Sequence, residues 1–419
     1  MTVAYLTSQY PALSHTFIER EVRAVRAAGT DVATFSVRPC PPEELRSAAM
    51  VEDAASTPTL RGSTPSTWAA AHGRLARRNP AVLAASLRRA LGSGPRTPRG
   101  RTWQLFYLAE AVLLYERLRE RGITHVHAHF ANVACDVARL VTYLGRTEDG
   151  PGSSWRWSFT MHGPTEFEAV DAFDLPAKVR SADGVSCISD FCRSQLMRFV
   201  EPEHWDKLDV VRMSVDADRY HPAPVATPPA ETSRPLRLLY VGRLVPEKGS
   251  PVLLDALSRL TAAGVETRTR IVGSGRLHDS LAADIAQRGL SGVDLSGPIG
   301  QDQLPELYRD ADVFVLPSFS EGLPVVLMEA MATGIPVVTT QIAAVTEMVH
   351  DGVHGRVVPP GRADLLADAL ADLAADPARR REMGRAGRET ILAEFVPDVT
   401  GPAMARFLEG VSASRSPRQ

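Results

Sequence analysis

The chain has 419 residues, 44% hydrophobic and 23% charged, a length for about two or three domains with an ordinary apolar core. Its formal net charge of −2 leaves no global excess that would select nucleic acid as a partner. Four cysteines, at positions 40, 135, 187 and 192, show no C-x-x-C spacing, and no signal-peptide pattern opens the chain, so a reducing cytoplasm is the expected compartment.

From the N-terminus, short apolar or β-branched runs alternate with helical patterns: "TVAYLT", "DVATFSV", "HVHAHF", "WSFTMH", "GVSCIS" and "LDVVRM" in the first half, then "LRLLYVG", "TRTRIVG", "DLSG", "VFVLP", "PVVTT" and "GRVVPP". Such alternation predicts an α/β protein with parallel sheets wrapped by helices and ligand sites at the carboxyl ends of the strands. The run "WQLFYLAEAVLLYERL" is interrupted by Glu110 and Glu116 and falls short of the roughly 18–20 apolar residues of a membrane span, so it reads as a buried helix.

The boundaries follow from breaks in this pattern. Residues 1–220 form one domain, with a basic insertion over about residues 40–101. The prolines of "HPAPVATPPAETSRP" cannot continue a helix or a central strand, which makes residues 221–235 a linker. Residues 236–395 form the second domain, and 396–419 a closing helix, expected to pack back on the first domain, with a frayed tail. Within the insertion, residues 74–101 carry arginines and no acid. Two readings stand: a cationic surface for anionic lipid headgroups or a lipid-linked pyrophosphate at the inner face of the cell membrane, or a solvated insertion with no partner.

The stretch "SFSEGLPVVLMEAMATGIPVV", Ser318 to Val338, concentrates the chemistry. A strand ends before the turn "FSEG", and a helix follows with Pro324 near its first position and Gly334 as its stop. Its first-turn amides and a macrodipole worth about half a positive charge make Gly322, Leu323 and Pro324 an anion site. Glu321 precedes the helix and Glu329 sits inside it, so the two cannot share a proton. Each is placed to accept hydrogen bonds from sugar hydroxyls, one from a hexose and one from a ribose, with phosphates between.

Other candidates are weaker. Gly273 and Gly275 stand at a strand-to-helix turn without the acidic residue of a dinucleotide fingerprint; either the turn borders a nucleotide or it merely starts a helix, and both leave the strand end open to a base. His125, His127 and His129 share one face of a strand, each about 6.6–7 Å from the next, too far apart for one ion, so no metal is expected. His129 is expected to line the acceptor side. Asp216 with Asp218, and Asp310 with Asp312, resemble cation-binding pairs but read as turn and capping residues. Ser14 and Thr16 offer hydroxyls to a phosphate or sugar, or an N-cap to the helix that follows.

In combination, Glu321-x7-Glu329, "LLYVGRLVPEKG", "IVGSGRLHDSL", "LPELYRDADVFVLPS" and "VHDGVHGRVVPPG" resemble the retaining glycosyltransferases of family 4. These have the GT-B fold, two Rossmann-like doubly wound domains facing a central cleft. "SQYPALSHTFIEREV" and "HVHAHFAN" resemble the family's exopolysaccharide and colanic-acid branch. The resemblance implies that Arg243 and Lys248 bind the donor diphosphate in place of a metal ion, that Glu321 contacts the hexose and Glu329 the ribose, and that His162 hydrogen-bonds the hexose or a phosphate. It implies a nucleoside-diphosphate sugar, UDP- or GDP-linked, as co-substrate, and no cofactor. The acceptor would be a hydroxyl on a sugar, a lipid-linked sugar or a small natural product. The chain departs from the branch at His15, where Glu is usual, and at Ala344 and Thr346, where glycine and proline are usual. A sugar-nucleotide epimerase, a phosphorolytic relative and an inactive nucleotide-sugar-binding scaffold are the alternatives.

Overall fold

A computed structural model describes residues 1–12, 15–45, 47–94, 97–222 and 234–414. Ser14, most of the proline-rich stretch and the tail after residue 414 lie outside the described residues. The chain divides into two compact units: Met1–Arg212 with Thr400–Gln419, and Met213–Val399.

The first unit is built on six parallel strands, β1 (Thr2–Gln9), β2 (Asp31–Arg38), β3 (His125–His129), β4 (Arg156–Met161), β5 (Gly184–Cys187) and β6 (Leu208–Val210), in the order β2-β1-β3-β4-β5-β6. The second holds β7 (Leu236–Val241), β8 (Thr267–Val272), β9 (Val293–Gly297), β10 (Val313–Leu316), β11 (Val337–Thr340) and β12 (Gly355–Val358), in the order β12-β11-β10-β7-β8-β9. Central strands are buried along their whole length, as expected when helices cover both faces of a parallel sheet. Each sheet reverses its winding once, between β1 and β3 and between β7 and β10, and at such a reversal the loops leaving adjacent strands part to open a crevice. The two-domain Rossmann-like GT-B fold anticipated from the motifs is the fold observed.

The division of the chain falls at Arg212–Met213, ahead of the prolines. Residues that follow are tied to the second unit: the Val215 amide donates to the Phe395 carbonyl at 2.8 Å, and Arg388 donates to the Tyr220 carbonyl at 3.1 Å. The last helix, Pro397–Ala413, belongs to the first unit from Thr400 onward. Phe407, Leu408 and Val411 join Val3, Ile18 and Val22 in one apolar cluster, and Ser412 Oγ meets His125 Nδ1 at 2.8 Å. Gly401 lies so close to the helix Thr16–Ala27 that a Cβ there would sit 2.7 Å from the Ala24 carbonyl oxygen.

The basic insertion is helical, with helices Ala48–Ser56, Pro65–Arg78 and Pro80–Leu91 leading into the long helix Pro98–Glu120. Three of its arginines are not available to a partner. Arg61 pairs with Glu110 at 2.6 Å, Arg74 with Glu116 at 3.1 Å, and Arg78 with Glu116 and, at 2.6 Å, with Glu148. The acids that interrupt the apolar run are thus the counter-ions that fasten the arm. The run itself departs from its expected burial: it is buried from Leu108 onward, but Trp103, Leu105 and Phe106 are exposed. Among the described residues no helix is long and apolar enough to cross a membrane.

Candidate active site

In the second unit, the loops that leave β7 and β10 meet at the winding reversal. Gly249, at φ +66°, ends the short turn Pro246–Lys248, and a Cβ at this position would lie 1.9 Å from the Pro317 carbonyl oxygen. Only glycine permits that approach. The amides of Phe319 and Ser320 then donate to the Glu247 carbonyl at 2.8 and 3.3 Å. This stitching carries Lys248 to Glu321: Nζ lies 2.6 Å from each carboxylate oxygen. Ser318 Oγ donates to Glu321 Oε1 at 2.7 Å, and the Ser318 carbonyl is held by Thr340 Oγ1 at 2.6 Å.

Arg243, five residues before Lys248, is exposed, and its guanidinium has no ion pair among the described residues. Its loop is braced from behind by Gly273 and Gly275. Added Cβ atoms would fall 1.9 Å from the Gly242 carbonyl oxygen and 2.4 Å from that of Leu244, and both glycines have positive φ. The Leu244 amide donates to the Ser274 carbonyl at 2.8 Å, and Leu277 N to the Leu244 carbonyl at 3.0 Å. The G-x-G pair therefore supports the arginine loop by close backbone contact.

The helix after the second loop starts at Val325, one residue after the Pro324 expected near its first position. Pro324 is its N-cap, with β-like ψ, and Leu323 is buried. Glu329, one turn in, is buried and accepts a hydrogen bond from Tyr308 Oη at 2.9 Å. Burial, then the carboxylate, push the Tyr308 phenol well above its ordinary value, so it remains a donor. Gly334, at φ +78°, closes the helix as anticipated. Asp216 accepts from the amides of Asp218 and Arg219 at 3.2 and 3.0 Å, a turn role. Asp312 differs from the expected cap: it forms a two-pronged ion pair with Arg234, both contacts 2.7 Å, because its strand end faces a guanidinium 78 residues away in sequence.

In the first unit the histidines gather at the strand ends. His162, just after β4, places Nε2 3.2 Å from Nδ1 of His129. His129 Nε2 lies 3.5 Å from Glu21 Oε1, which also accepts from Tyr5 Oη at 2.9 Å. Nδ1 of His162 is buried with no hydrogen-bond partner among the described residues. Around it stand the rings of Phe17 and Phe130, at 4.9 and 4.5 Å between centroids. Phe130 adopts φ 65°, rare for a residue other than glycine, at the end of β3. Burial holds His129 down at about 3 and His162 well below the ordinary range, so both are neutral at pH 7.

Several expectations are corrected here. His129 is wholly buried behind His162 and does not line a surface. The N-cap position of the helix Thr16–Ala27 is His15, which makes no side-chain cap bond, and Thr16 is the first helical residue. His15 instead packs on Phe130 at 4.9 Å. The histidines of β3 also approach more closely than the strand rise suggests, the rings of His127 and His129 being 5.1 Å apart. Among the described residues, Glu21, His127 and His129 bring ligand-type atoms within 4.8 Å of one another. Both nitrogens of His127, however, are engaged with hydroxyls, Nδ1 with Ser158 at 2.8 Å and Nε2 with Thr160 at 3.0 Å. Ser318, Tyr308, Glu21 and Phe130 lie within the quoted motifs but were not singled out in them; each matters through a contact with a residue at least three positions away.

Residues 228–390 match the family described as Glycosyl transferases group 1. A D-inositol 3-phosphate glycosyltransferase of Kribbella flavida is 31% identical over 320 residues, 68% of this chain and 71% of that protein. A putative colanic acid biosynthesis glycosyltransferase, WcaL of Escherichia coli K12, is 34% identical over 240 residues, 55% of this chain and 58% of that protein. The match therefore spans little more than half of WcaL. Among solved structures, Anabaena Alr3699/HepE in complex with UDP superposes with a TM-score of 0.70 at 17% identity, covering 98% of this chain and all of that one, 100%; at that identity it speaks for the fold. With this fold, and with both glutamates of the E-x7-E motif in place, the chain belongs to the group 1 glycosyl transferases.

Proposed function

We propose that the protein transfers a hexose from a UDP- or GDP-linked sugar to a hydroxyl acceptor, with retention at the anomeric carbon and without a metal ion, in polysaccharide, glycolipid or natural-product biosynthesis. The observation that carries this reading is that Arg243, with no ion pair among the described residues, and Lys248, fastened to Glu321, both stand at the winding reversal of a Rossmann sheet. As the glycosidic bond weakens, negative charge grows on the leaving diphosphate, and catalysis comes from contacts that strengthen with that charge. Arg243 supplies a planar fork for phosphate oxygens. Lys248 has three N–H donors; two contacts are taken by Glu321, which leaves one for phosphate.

Glu321, its charge balanced by the ammonium, accepts from hexose hydroxyls, and Glu329, oriented by Tyr308, accepts from the ribose. The neutral imidazole of His162 has its Nδ1 without a partner among the described residues. A neutral ring offers one hydrogen bond and no charge, which favours a sugar hydroxyl over a phosphate as its ligand. HepE was solved with UDP, and a nucleoside diphosphate is the ligand class proposed here as well.

The test is an incubation with a panel of UDP- and GDP-sugars and hydroxyl acceptors, with and without EDTA. Acceptor-dependent release of nucleoside diphosphate, unchanged by EDTA, with the anomeric configuration preserved by NMR, is the expected result. Turnover of the sugar nucleotide without diphosphate release would identify an epimerase, and donor binding without turnover a scaffold. Activity lost to EDTA and restored by Mn or Mg would overturn the metal-independent scheme.

A further inference from the structure

The helix Pro98–Glu120 begins with residues that a buried element would not carry. Trp103, Leu105 and Phe106 are 39%, 39% and 57% exposed, whereas Gln104 beside them is buried. The Trp103 ring lies 5.6 Å from that of Phe106 and 6.1 Å from that of Tyr107. The preceding helix, Pro80–Leu91, buries Val82, Ser86 and Ala90 but exposes Leu87 and Leu91, one turn apart on its last turns. Only residues 92–97 separate the two helices, which limits the gap to about 20 Å. One end of this helical pair therefore presents several large apolar side chains, a density unusual on the surface of a monomer.

The exposed charges on these helix ends are basic, and the two acids that reach them, Asp174 at the Gly94 amide (3.2 Å) and Asp136 at Gln104 Nε2 (3.4 Å), are both engaged by Arg139, Asp136 by Lys178 as well. Between Ala54 and Ala109 there is no Asp or Glu. Arg74 and Arg78, at the far end of the insertion, are neutralised by glutamates. Arg88, Arg99 and Arg101 are exposed, and none has an ion pair among the described residues. Indole and phenyl rings with aliphatic side chains, flanked by unpaired cations, match the boundary of an anionic bilayer, where rings sit at headgroup depth and guanidinium groups meet phosphates. A second protein would need acids opposite these arginines, and a second copy of this patch would bring like charges together.

We infer that the C-terminal end of the helix Pro80–Leu91 and the N-terminal end of the helix Pro98–Glu120 form a membrane-docking tip: Trp103, Leu105 and Phe106 enter the headgroup region of an anionic bilayer, and Arg88, Arg99 and Arg101 bind lipid phosphates. The tip is distinct from the proposed transfer site, and its test needs no donor or acceptor. The full chain is mixed with sucrose-loaded vesicles of phosphatidylcholine alone, or with 30% phosphatidylglycerol (about the charge density at which polybasic segments bind), and sedimented. Binding at least tenfold stronger to the anionic vesicles, lowered at least tenfold by W103S/F106S and, separately, by R88E/R99E/R101E, is the expected result. Both variants alter exposed positions, and circular dichroism melts matching the parent establish that they fold. Equal binding to both vesicle types, no binding to either, or binding unchanged in the two variants would overturn the inference. So would lipid-free self-association abolished by W103S/F106S, seen by analytical ultracentrifugation, since the patch would then be a contact between copies.

Discussion

Lys248 Nζ lies 2.6 Å from both carboxylate oxygens of Glu321, across 73 residues of sequence. The pair is mostly withdrawn from water, at 18% and 6% side-chain exposure, and it couples the residue proposed for the diphosphate to the one proposed for the hexose. In the proposed scheme, a donor whose pyrophosphate draws on the ammonium would thereby have its sugar beside the carboxylate.

Removal of the ammonium is therefore expected to act twice. Lys248→Ala should lower kcat/KM by about 100-fold or more, roughly 3 kcal/mol of transition-state stabilisation. It should also cost about 1–3 kcal/mol of stability, because Glu321 loses its partner. Steady-state kinetics and urea denaturation measure the two effects. Parent-like turnover in a folded Lys248→Ala protein would remove the lysine from the mechanism.

Arg243 predicts the opposite balance. Its guanidinium is exposed and has no ion pair among the described residues, so Arg243→Ala should leave stability within about 0.5 kcal/mol of the parent. The affinity for nucleoside diphosphate, read by calorimetry, should fall by about tenfold or more, the scale of a lost charge-assisted hydrogen bond. An unchanged Kd would count against the phosphate role.

The loop junction gives a test that needs no ligand. Gly249→Ala places a methyl against the Pro317 carbonyl at φ +66°, whereas Gly264, at φ +75°, has nothing within 4 Å of an added Cβ. Gly264→Ala should cost only the left-handed conformation, about 1–2 kcal/mol. Gly249→Ala should cost that and at least about 1 kcal/mol more as the loops separate. Equal denaturation midpoints would mean that the two loops do not need their close approach.

The buried histidines set a pH dependence. His125 and His129 are pushed down to about 3, and His127 and His162 well below the ordinary value, in each case first by burial. Between pH 6.5 and 3 the unfolded chain binds protons at these positions that the folded chain refuses, so stability falls as pH drops. Glu21, which burial pushes up to about 7, acts in the other direction, since the folded state holds its proton between pH 4.5 and 7. Glu21→Gln removes that opposing contribution. The melting temperature should rise more steeply between pH 4.5 and 6.5 in Glu21→Gln than in the parent, by up to about 1.4 kcal/mol of stability per pH unit for one proton. Parallel profiles would place Glu21 outside the titrating set.

Much of this was legible in the chain itself, and the exceptions share a cause. Alternating apolar runs announced parallel sheets because strands buried on both faces need continuous hydrophobicity, and E-x7-E with its companion motifs announced the fold. The start of the helix at Val325 was not legible, since Leu323 and Pro324 are compatible with both a first turn and an extended cap. Nor was the fate of the arginine-rich arm. Glu116 reads as a flaw in an apolar helix until the fold sets it against Arg74 and Arg78, about 40 residues earlier in the chain.

Periodicity and local turn chemistry, which act within a few residues, were enough for the sequence alone to determine the alternating strands and helices of the two sheets, and the motifs in combination carried the resemblance to the family; the helices of the basic insertion were not legible. The tertiary structure alone decided which polar groups meet: Lys248 with Glu321, Glu329 with Tyr308, His162 with His129, and Arg88, Arg99 and Arg101 with no acid among the described residues. Ion pairs and buried hydrogen bonds depend on separations of a few ångströms between residues far apart in the chain, and only the packed sheets and their closing loops set those separations.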